Sequence, residues 1–259
     1  MFKANKKLGQ HFLQSKNTLK KIVDSLDIKS TDTVVEIGPG HGELTEYLLA
    51  AKPTQLILIE KDPDLVSELN LKLKTKNLKL IEGDALKILP KLSTTLQTTH
   101  YKLCGNIPYY ITGYLFRLLA DIEPRPSKIV FTIQKEVADR ICQKAPKMNL
   151  LAASVQYWAE PKIISVVKKT AFRPQPKVDS AIIELIPKLR ATNYPPQTNY
   201  YKFIKVLFKQ PRKTILNNLV TRITKNEVTK ILNKVGIDPS LRPQNLSIEQ
   251  IEKLVVLFK

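Results

Sequence analysis

An asparagine, an isoleucine, a proline and a tyrosine follow one another at Asn106-Ile107-Pro108-Tyr109, and their types suit the activation of an aromatic amine. The exocyclic amine of a base is a poor nucleophile because its lone pair is delocalised into the ring. The Asn106 side-chain oxygen and the Ile107 carbonyl offer two acceptors for its two N–H groups and favour a pyramidal nitrogen. Pro108 fixes the turn that points the carbonyl into a pocket. Tyr109 can stack on a base taken out of its helix, a contact worth about 1–3 kcal/mol. The implied chemistry is an in-line displacement, in which positioning supplies most of the catalysis. No dedicated general base is needed, since an alkylated amine is cationic and loses its proton readily.

A second constellation could hold the electrophile. In Val34-Val35-Glu36-Ile37-Gly38-Pro39-Gly40-His41-Gly42 an apolar strand runs into a glycine-rich turn, with a helical stretch after it. Glycine serves where backbone takes positive φ or lies close to a ligand. The spacing is GxGxG, not the GxGxxG of dinucleotide sites, so a nucleoside with an amino-acid tail fits better than a pyrophosphate. Glu60 ends the next strand, where a carboxylate can accept both ribose hydroxyls, and Asp84 ends the third, where it can accept from an adenine amine. His11, His41 and His100 show no metal-ligand spacing, so no metal is expected. Cys104 and Cys142 show no CxxC pattern and fit a reducing compartment without a disulfide framework.

These residues need a parallel sheet to bring strand ends together. Strand-like runs fall at Thr33–Ile37, Gln55–Ile59, Leu78–Ile81, Tyr101–Cys104 and Lys128–Ile133. Helical stretches at Glu43–Ala51, Pro63–Leu73 and Gly113–Ala120 separate some of them, and Thr18–Leu26 reads as a preceding helix capped by Asn17. Ile163–Val167 and Val178–Ile186 lack a helix between them and are expected as an antiparallel edge. The fold class is therefore α/β, a Rossmann-like sheet. Prolines at 187, 195 and 196 break the pattern, and four helical segments follow: Tyr200–Phe208, Thr214–Val220, Glu227–Val235 and Ile248–Phe258. Ser247 and Gln250 resemble a capping box for the last. The expected domains are 1–188, catalytic, and 189–259, a small helical domain for RNA or ribosome binding.

The net charge is +19, and its distribution is uneven. Residues 1–21 carry +6, residues 188–259 carry +10, and the long middle carries only +3. A nearly neutral body with two basic ends points to a polyanion partner such as nucleic acid. No apolar run is long enough to span a membrane. The basic N-terminus lacks the apolar stretch of a secretory leader, so a cytoplasmic protein is expected.

The motifs resemble those of the KsgA family, the ribosomal RNA adenine dimethyltransferases. Lys7-Leu8-Gly9-Gln10-His11-Phe12-Leu13 is similar to its N-terminal signature, and Gly105-Asn106-Ile107-Pro108-Tyr109-Tyr110-Ile111 to its catalytic loop. Phe172-Arg173-Pro174-Gln175-Pro176-Lys177-Val178-Asp179-Ser180 and the segment from Phe208 to Leu219 are similar to further family motifs. Pro211 and Tyr110 depart from residues common in the family.

The resemblance implies S-adenosylmethionine as methyl donor, contacted by His11, Leu13, Gly38, Gly40, Glu60, Asp84 and Asn106. It implies Tyr109 and Phe172 as aromatic walls around the target base, the latter on a loop stiffened by Pro174 and Pro176. Lys6, Lys7, Arg212 and Lys213 would grip RNA. The substrate would be two adjacent adenosines in the 3′-terminal hairpin of 16S rRNA, within an assembling small ribosomal subunit, and the enzyme would act as a monomer. Two other functions remain open at this point. One is a 23S rRNA adenine methyltransferase conferring antibiotic resistance, and the other a non-catalytic ribosome assembly factor. A DNA adenine methyltransferase is disfavoured because only about seventy residues follow the catalytic body.

Overall fold

Short runs of β-branched and aliphatic residues become strands, and the central ones are buried on both faces, as parallel sheets require. A computed structural model describes residue 5 and residues 8–96, 101–188, 197–220 and 223–258. Its first elements are β1 (Phe12–Leu13), α1 (Lys16–Leu26), β2 (Thr33–Ile37), α2 (Glu43–Ala50), β3 (Gln55–Glu60), α3 (Pro63–Lys72), β4 (Leu78–Glu82) and α4 (Ala85–Leu96). Then come β5 (Tyr101–Asn106), α5 (Thr112–Asp121), β6 (Lys128–Gln134), α6 (Lys135–Ile141), α7 (Leu150–Gln156), β7 (Ala159–Val167), β8 (Phe172–Arg173) and β9 (Ser180–Pro187). Four helices follow, α8 (Gln197–Leu207), α9 (Ile215–Leu219), α10 (Lys225–Lys234) and α11 (Ile248–Leu257).

The main sheet has the order β4-β3-β2-β5-β6-β9-β7. Strands β2 to β6 pair in parallel, and β9 runs antiparallel to β6, with β7 beyond it at the edge. The two late β-rich runs thus extend the sheet where an antiparallel edge was expected. Strand order reverses between β2 and β5, the switch point beyond which open α/β sheets bind ligands. On one face of the sheet Leu19, Ile22 and Leu26 of α1 pack with Val34, Leu58, Cys104 and Val130.

Local signals placed most elements within two residues, with instructive misses. Helix α1 is capped by Ser15, whose Oγ accepts from the Thr18 amide, and Asn17 lies inside the helix, not at its cap. Helix α4 went unread because Pro90, ordinarily a breaker, sits within it. The strands β1 and β8 are two residues each and exist through their pairing, which leaves no local periodicity to read.

The division into domains also needs correction. The chain forms two compact units, Met1–Ala138 with Pro161–Pro187, and Asp139–Glu160 with Lys188–Lys259. The segment Asp139–Glu160 therefore joins the C-terminal helices and not the preceding sheet. Apolar burial is the reason: Ala152, Ala153 and Tyr157 share a core with Tyr200, Ile204, Leu219, Leu232 and Leu254. The Tyr157 and Tyr200 rings stack at 3.5 Å, and the Tyr200 hydroxyl donates to the Ala153 carbonyl. The capping box expected at Ser247 and Gln250 starts α11, and Thr224 with Glu227 makes another at α10.

Within the second unit, buried Asn218 ties down the loop before α9. Its Oδ1 accepts from the Gln210 amide at 2.9 Å, and its Nδ2 donates to the Gln210 and Thr214 carbonyls. Arg212 and Lys213 lie on that loop and are exposed. Among the described residues no helix is long and apolar enough to cross a membrane, and no group of three or more His, Cys, Asp or Glu could hold a metal ion. Asn218→Ala strands buried backbone groups, so it should destabilise the protein by about 1–3 kcal/mol. Urea unfolding of the variant beside the parent measures this directly.

Candidate active site

At the switch point Ile37 of β2 stands in register with Gly105 of β5. A Cβ on Gly105 would run into the Ile37 carbonyl oxygen, so only glycine lets the two strands approach there. That contact puts Gly38, the first residue after β2, beside Asn106, the last of β5. The sequence signal for Gly105 was present in the catalytic-loop motif, but its steric role became visible only with the paired strands.

One pocket in the first unit is lined by every expected cofactor and catalytic residue: His11, Leu13, Gly38, Gly40, Glu60, Asp84, Asn106, Ile107, Pro108, Tyr109 and Phe172. Lys6 and Lys7 lie outside the described residues, and Arg212 and Lys213 belong to the second unit. Gly38 has φ +65°, and the space beside it is open, so a ligand can approach its backbone. Gly40 is small for another reason: a Cβ there would press on the Phe12 ring at 2.9 Å.

The acids at the strand ends are held differently. Glu60 is buried, and its carboxylate accepts from the amides of Lys61, Asp62 and Gly40 at 2.8–3.2 Å. Burial raises its pKa, opposed by those amides. Oε1 takes two of these amides and Oε2 one, so Oε2 keeps a lone pair for a ribose hydroxyl. Asp84 accepts from Lys61 Nζ at 2.9 Å and caps the Leu86 amide, and the Lys61 hydrogen bond holds its carboxyl below the usual range.

The loop Asn106–Tyr109 is oriented from outside itself. Asn106 Nδ2 donates to the His11 carbonyl at 2.6 Å. A carbonyl can only accept, so the amide nitrogen is committed and the side-chain oxygen is left as an acceptor. The Ile107 amide donates to the Thr132 carbonyl. Tyr109 is pinned by its hydroxyl to Ser180 Oγ at 2.9 Å and stacks on His11 at 5.9 Å. His11 Nδ1 donates in turn to the Pro174 carbonyl at 2.7 Å. Strands β1 and β8 pair Leu13 with Phe172, which clamps the N-terminal segment onto the Phe172 loop. Phe172 lines the pocket but is only 2 % exposed, so most of its surface is spent on the protein core.

Comparison with known proteins decides the family. A family model described as ribosomal RNA adenine dimethylase matches residues 1–259. The chain belongs to the ribosomal RNA adenine dimethylase family. A ribosomal RNA small subunit methyltransferase A of Dehalococcoides mccartyi is 41% identical over 99% of this chain and 89% of its own length. One from Mycoplasma mycoides is 37% identical over 97% and 96%. A dimethyladenosine transferase from Plasmodium falciparum superposes with TM-score 0.82 at 28% identity, over 96% of this chain and 97% of that one. The 23S rRNA methyltransferase ErmE reaches TM-score 0.72 at 23% identity, which shows a shared fold.

Four residues in or beside this pocket have no role assigned from sequence: Gly105, Ser180, Lys61 and Glu36. None has a local signal beyond its motif, since each acts through a partner distant in sequence. Glu36 lines the pocket from the middle of β2, almost fully buried, and accepts from the Thr45 hydroxyl at 2.7 Å. Burial pushes its pKa up to about 8, with the Glu60 and Glu43 carboxylates adding to the rise. The folded protein therefore keeps a proton that the unfolded chain releases above its ordinary value of 4.5. This lowers stability as pH rises through that window, and the loss is complete above about pH 8. Glu36→Gln should flatten the fall in stability from pH 5 to pH 8, measured by urea unfolding at both. An unchanged slope would remove Glu36 as its source.

Proposed function

We propose that this chain transfers methyl groups from S-adenosylmethionine to the N6 amines of two adjacent adenosines in the 3′-terminal hairpin of 16S rRNA, within the assembling small ribosomal subunit. The observation that carries the proposal is the committed amide of Asn106, which leaves its oxygen as an acceptor beside the Ile107 backbone at the rim of a nucleoside-sized acidic pocket. Membership in the adenine dimethylase family and the printed names of the relatives support the substrate class.

The residues present suit the donor. The open space at Gly38 admits close backbone approach, Glu60 Oε2 offers an acceptor for a ribose hydroxyl, and Asp84 offers one for an adenine amine. His11 and Leu13 close the same pocket from β1 and the residue before it. When bound, S-adenosylmethionine supplies an electrophilic methyl group. Asn106 and the Ile107 carbonyl accept the two amine hydrogens and turn the lone pair out of conjugation. Tyr109, fixed by Ser180 and His11, holds the base by stacking, and Phe172 bounds the far side of the pocket. These groups are oriented before substrate arrives, so little freedom is lost on binding. After transfer the cationic amine yields its proton to water.

In this proposal the polyanion grip is supplied by Lys6 and Lys7 near one end and by Arg212 and Lys213 on the loop tied by Asn218. The enzyme works as a monomer, where subunits assemble in the cytoplasm, and needs no metal.

Incubation with labelled S-adenosylmethionine and unmethylated small subunits, large-subunit RNA or duplex DNA tests the assignment. Label is expected as dimethyladenosine in small subunits alone, and label only in another substrate would overturn it. Asn106→Ala should lower kcat by about a hundredfold or more, the scale for losing one aligned polar contact in a transition state. Subunit binding by that variant should stay near the parent value. Replacing Arg212 and Lys213 together by alanine should make the logarithmic salt dependence of subunit binding shallower, by about 0.7–0.9 per lost phosphate contact. Filter binding across a salt series reads that slope.

A further inference from the structure

We propose that Tyr110 and Tyr114 form a stacking platform for the nucleotide next to the adenosine held in the pocket. This rests on the assignment of the pocket as an adenosine site in RNA, and it adds a second base-binding surface outside that pocket.

Tyr114 is 71% exposed and Tyr110 51% exposed, an unusual amount of aromatic surface given to solvent. Both follow the catalytic loop directly. The single 3₁₀ turn Tyr109–Ile111 runs straight into α5, so residues 110 and 114 lie one turn apart on a continuous helical path and share a face. Their neighbour Tyr109 differs sharply, being half-buried with its hydroxyl tied to Ser180. The loop thus presents one tyrosine inward and two outward.

Tyr110 itself lines the pocket, and its ring lies beside Gly9, so the platform is continuous with the site. Gly113 stands between the two tyrosines, exposed, and a Cβ there would meet nothing within 4 Å. Two cationic side chains belong to these surroundings: Lys61, paired with Asp84, lines the same pocket, and Arg117 is exposed three residues beyond Tyr114. Flat apolar faces with cations at the rim of a base pocket suit a nucleobase attached to a phosphate strand. An RNA that delivers one base into the pocket must bring its neighbour to this rim. Stacking needs no particular hydrogen-bond pattern, so the platform would align the strand without choosing its sequence.

The test uses alanine and phenylalanine variants at both positions with unmethylated small subunits. Tyr110→Ala with Tyr114→Ala should raise KM for subunits by about five- to a hundredfold, the range for a lost base–aromatic stack. The fall in kcat should be smaller. The double phenylalanine variant should lie within about twofold of the parent, because the ring and not the hydroxyl carries the contact. The salt dependence of binding should not change, since no phosphate contact is lost. An unchanged KM, a phenylalanine pair as weak as the alanine pair, or a shallower salt dependence would each overturn the platform. Affinity for S-adenosylhomocysteine checks the fold of each variant. If the double alanine variant loses it, Tyr114→Ala alone decides, as Tyr114 does not line the pocket. A parent that binds subunits without methylating them would overturn the assigned function instead, and the same variants' subunit dissociation constants would then judge the platform.

Discussion

Close contact between the Ile37 carbonyl and Gly105 is the constraint on which the site depends. Parallel strands leave their carboxyl ends on one side, and at this point a Cβ on residue 105 would run into the neighbouring strand's backbone. Here the missing Cβ lets β2 and β5 meet at the point where strand order reverses. The glycine-rich turn and the loop Asn106–Tyr109 then line one pocket. The proposed donor and acceptor sites could not share it if a Cβ at residue 105 forced those strand ends apart.

Around that junction, polar side chains are tied down by groups that do not themselves take part in the proposed chemistry. His11 uses its backbone to hold Asn106 and its ring to reach Pro174 and Tyr109. Ser180 holds Tyr109 from the antiparallel strand β9. Such second partners fix rotamers before substrate binds, which suits a displacement governed by geometry. Burial has a cost in the same region. Glu36 and Glu60 both have raised pKa values because their carboxylates are shielded from water, and the backbone amides around Glu60 offset part of that.

Much of this was legible residue by residue. The apolar run Thr33–Ile37 and the glycines at 38, 40 and 42 announce a strand and a turn because their demands are local. Glu60 and Asp84 stand out because one ends a strand and the other lies two residues beyond one. The Asn106–Tyr109 loop is recognisable because its chemistry needs adjacent residues. In contrast, Asn17 is the expected cap although Ser15 fills that role, since a two-residue shift of the helix start leaves the same apolar face buried. Helix α4 was hidden by Pro90, whose ordinary meaning is overruled by the helix around it.

What the sequence alone determined is the identity of the five parallel strands, the helical C-terminal segment, the motif residues of the pocket and a resemblance to one family. These follow from periodicity and from motifs whose residues lie within a few positions of one another. Tertiary structure alone decided which distant partners hold the chemistry in place. His11 meets Asn106 across 95 positions and Pro174 across 163. It also decided that Asp139–Glu160 packs with helices that begin some forty residues later. The physical reason is the same in each case: hydrogen bonds and apolar burial act on proximity in space, and no local pattern records it.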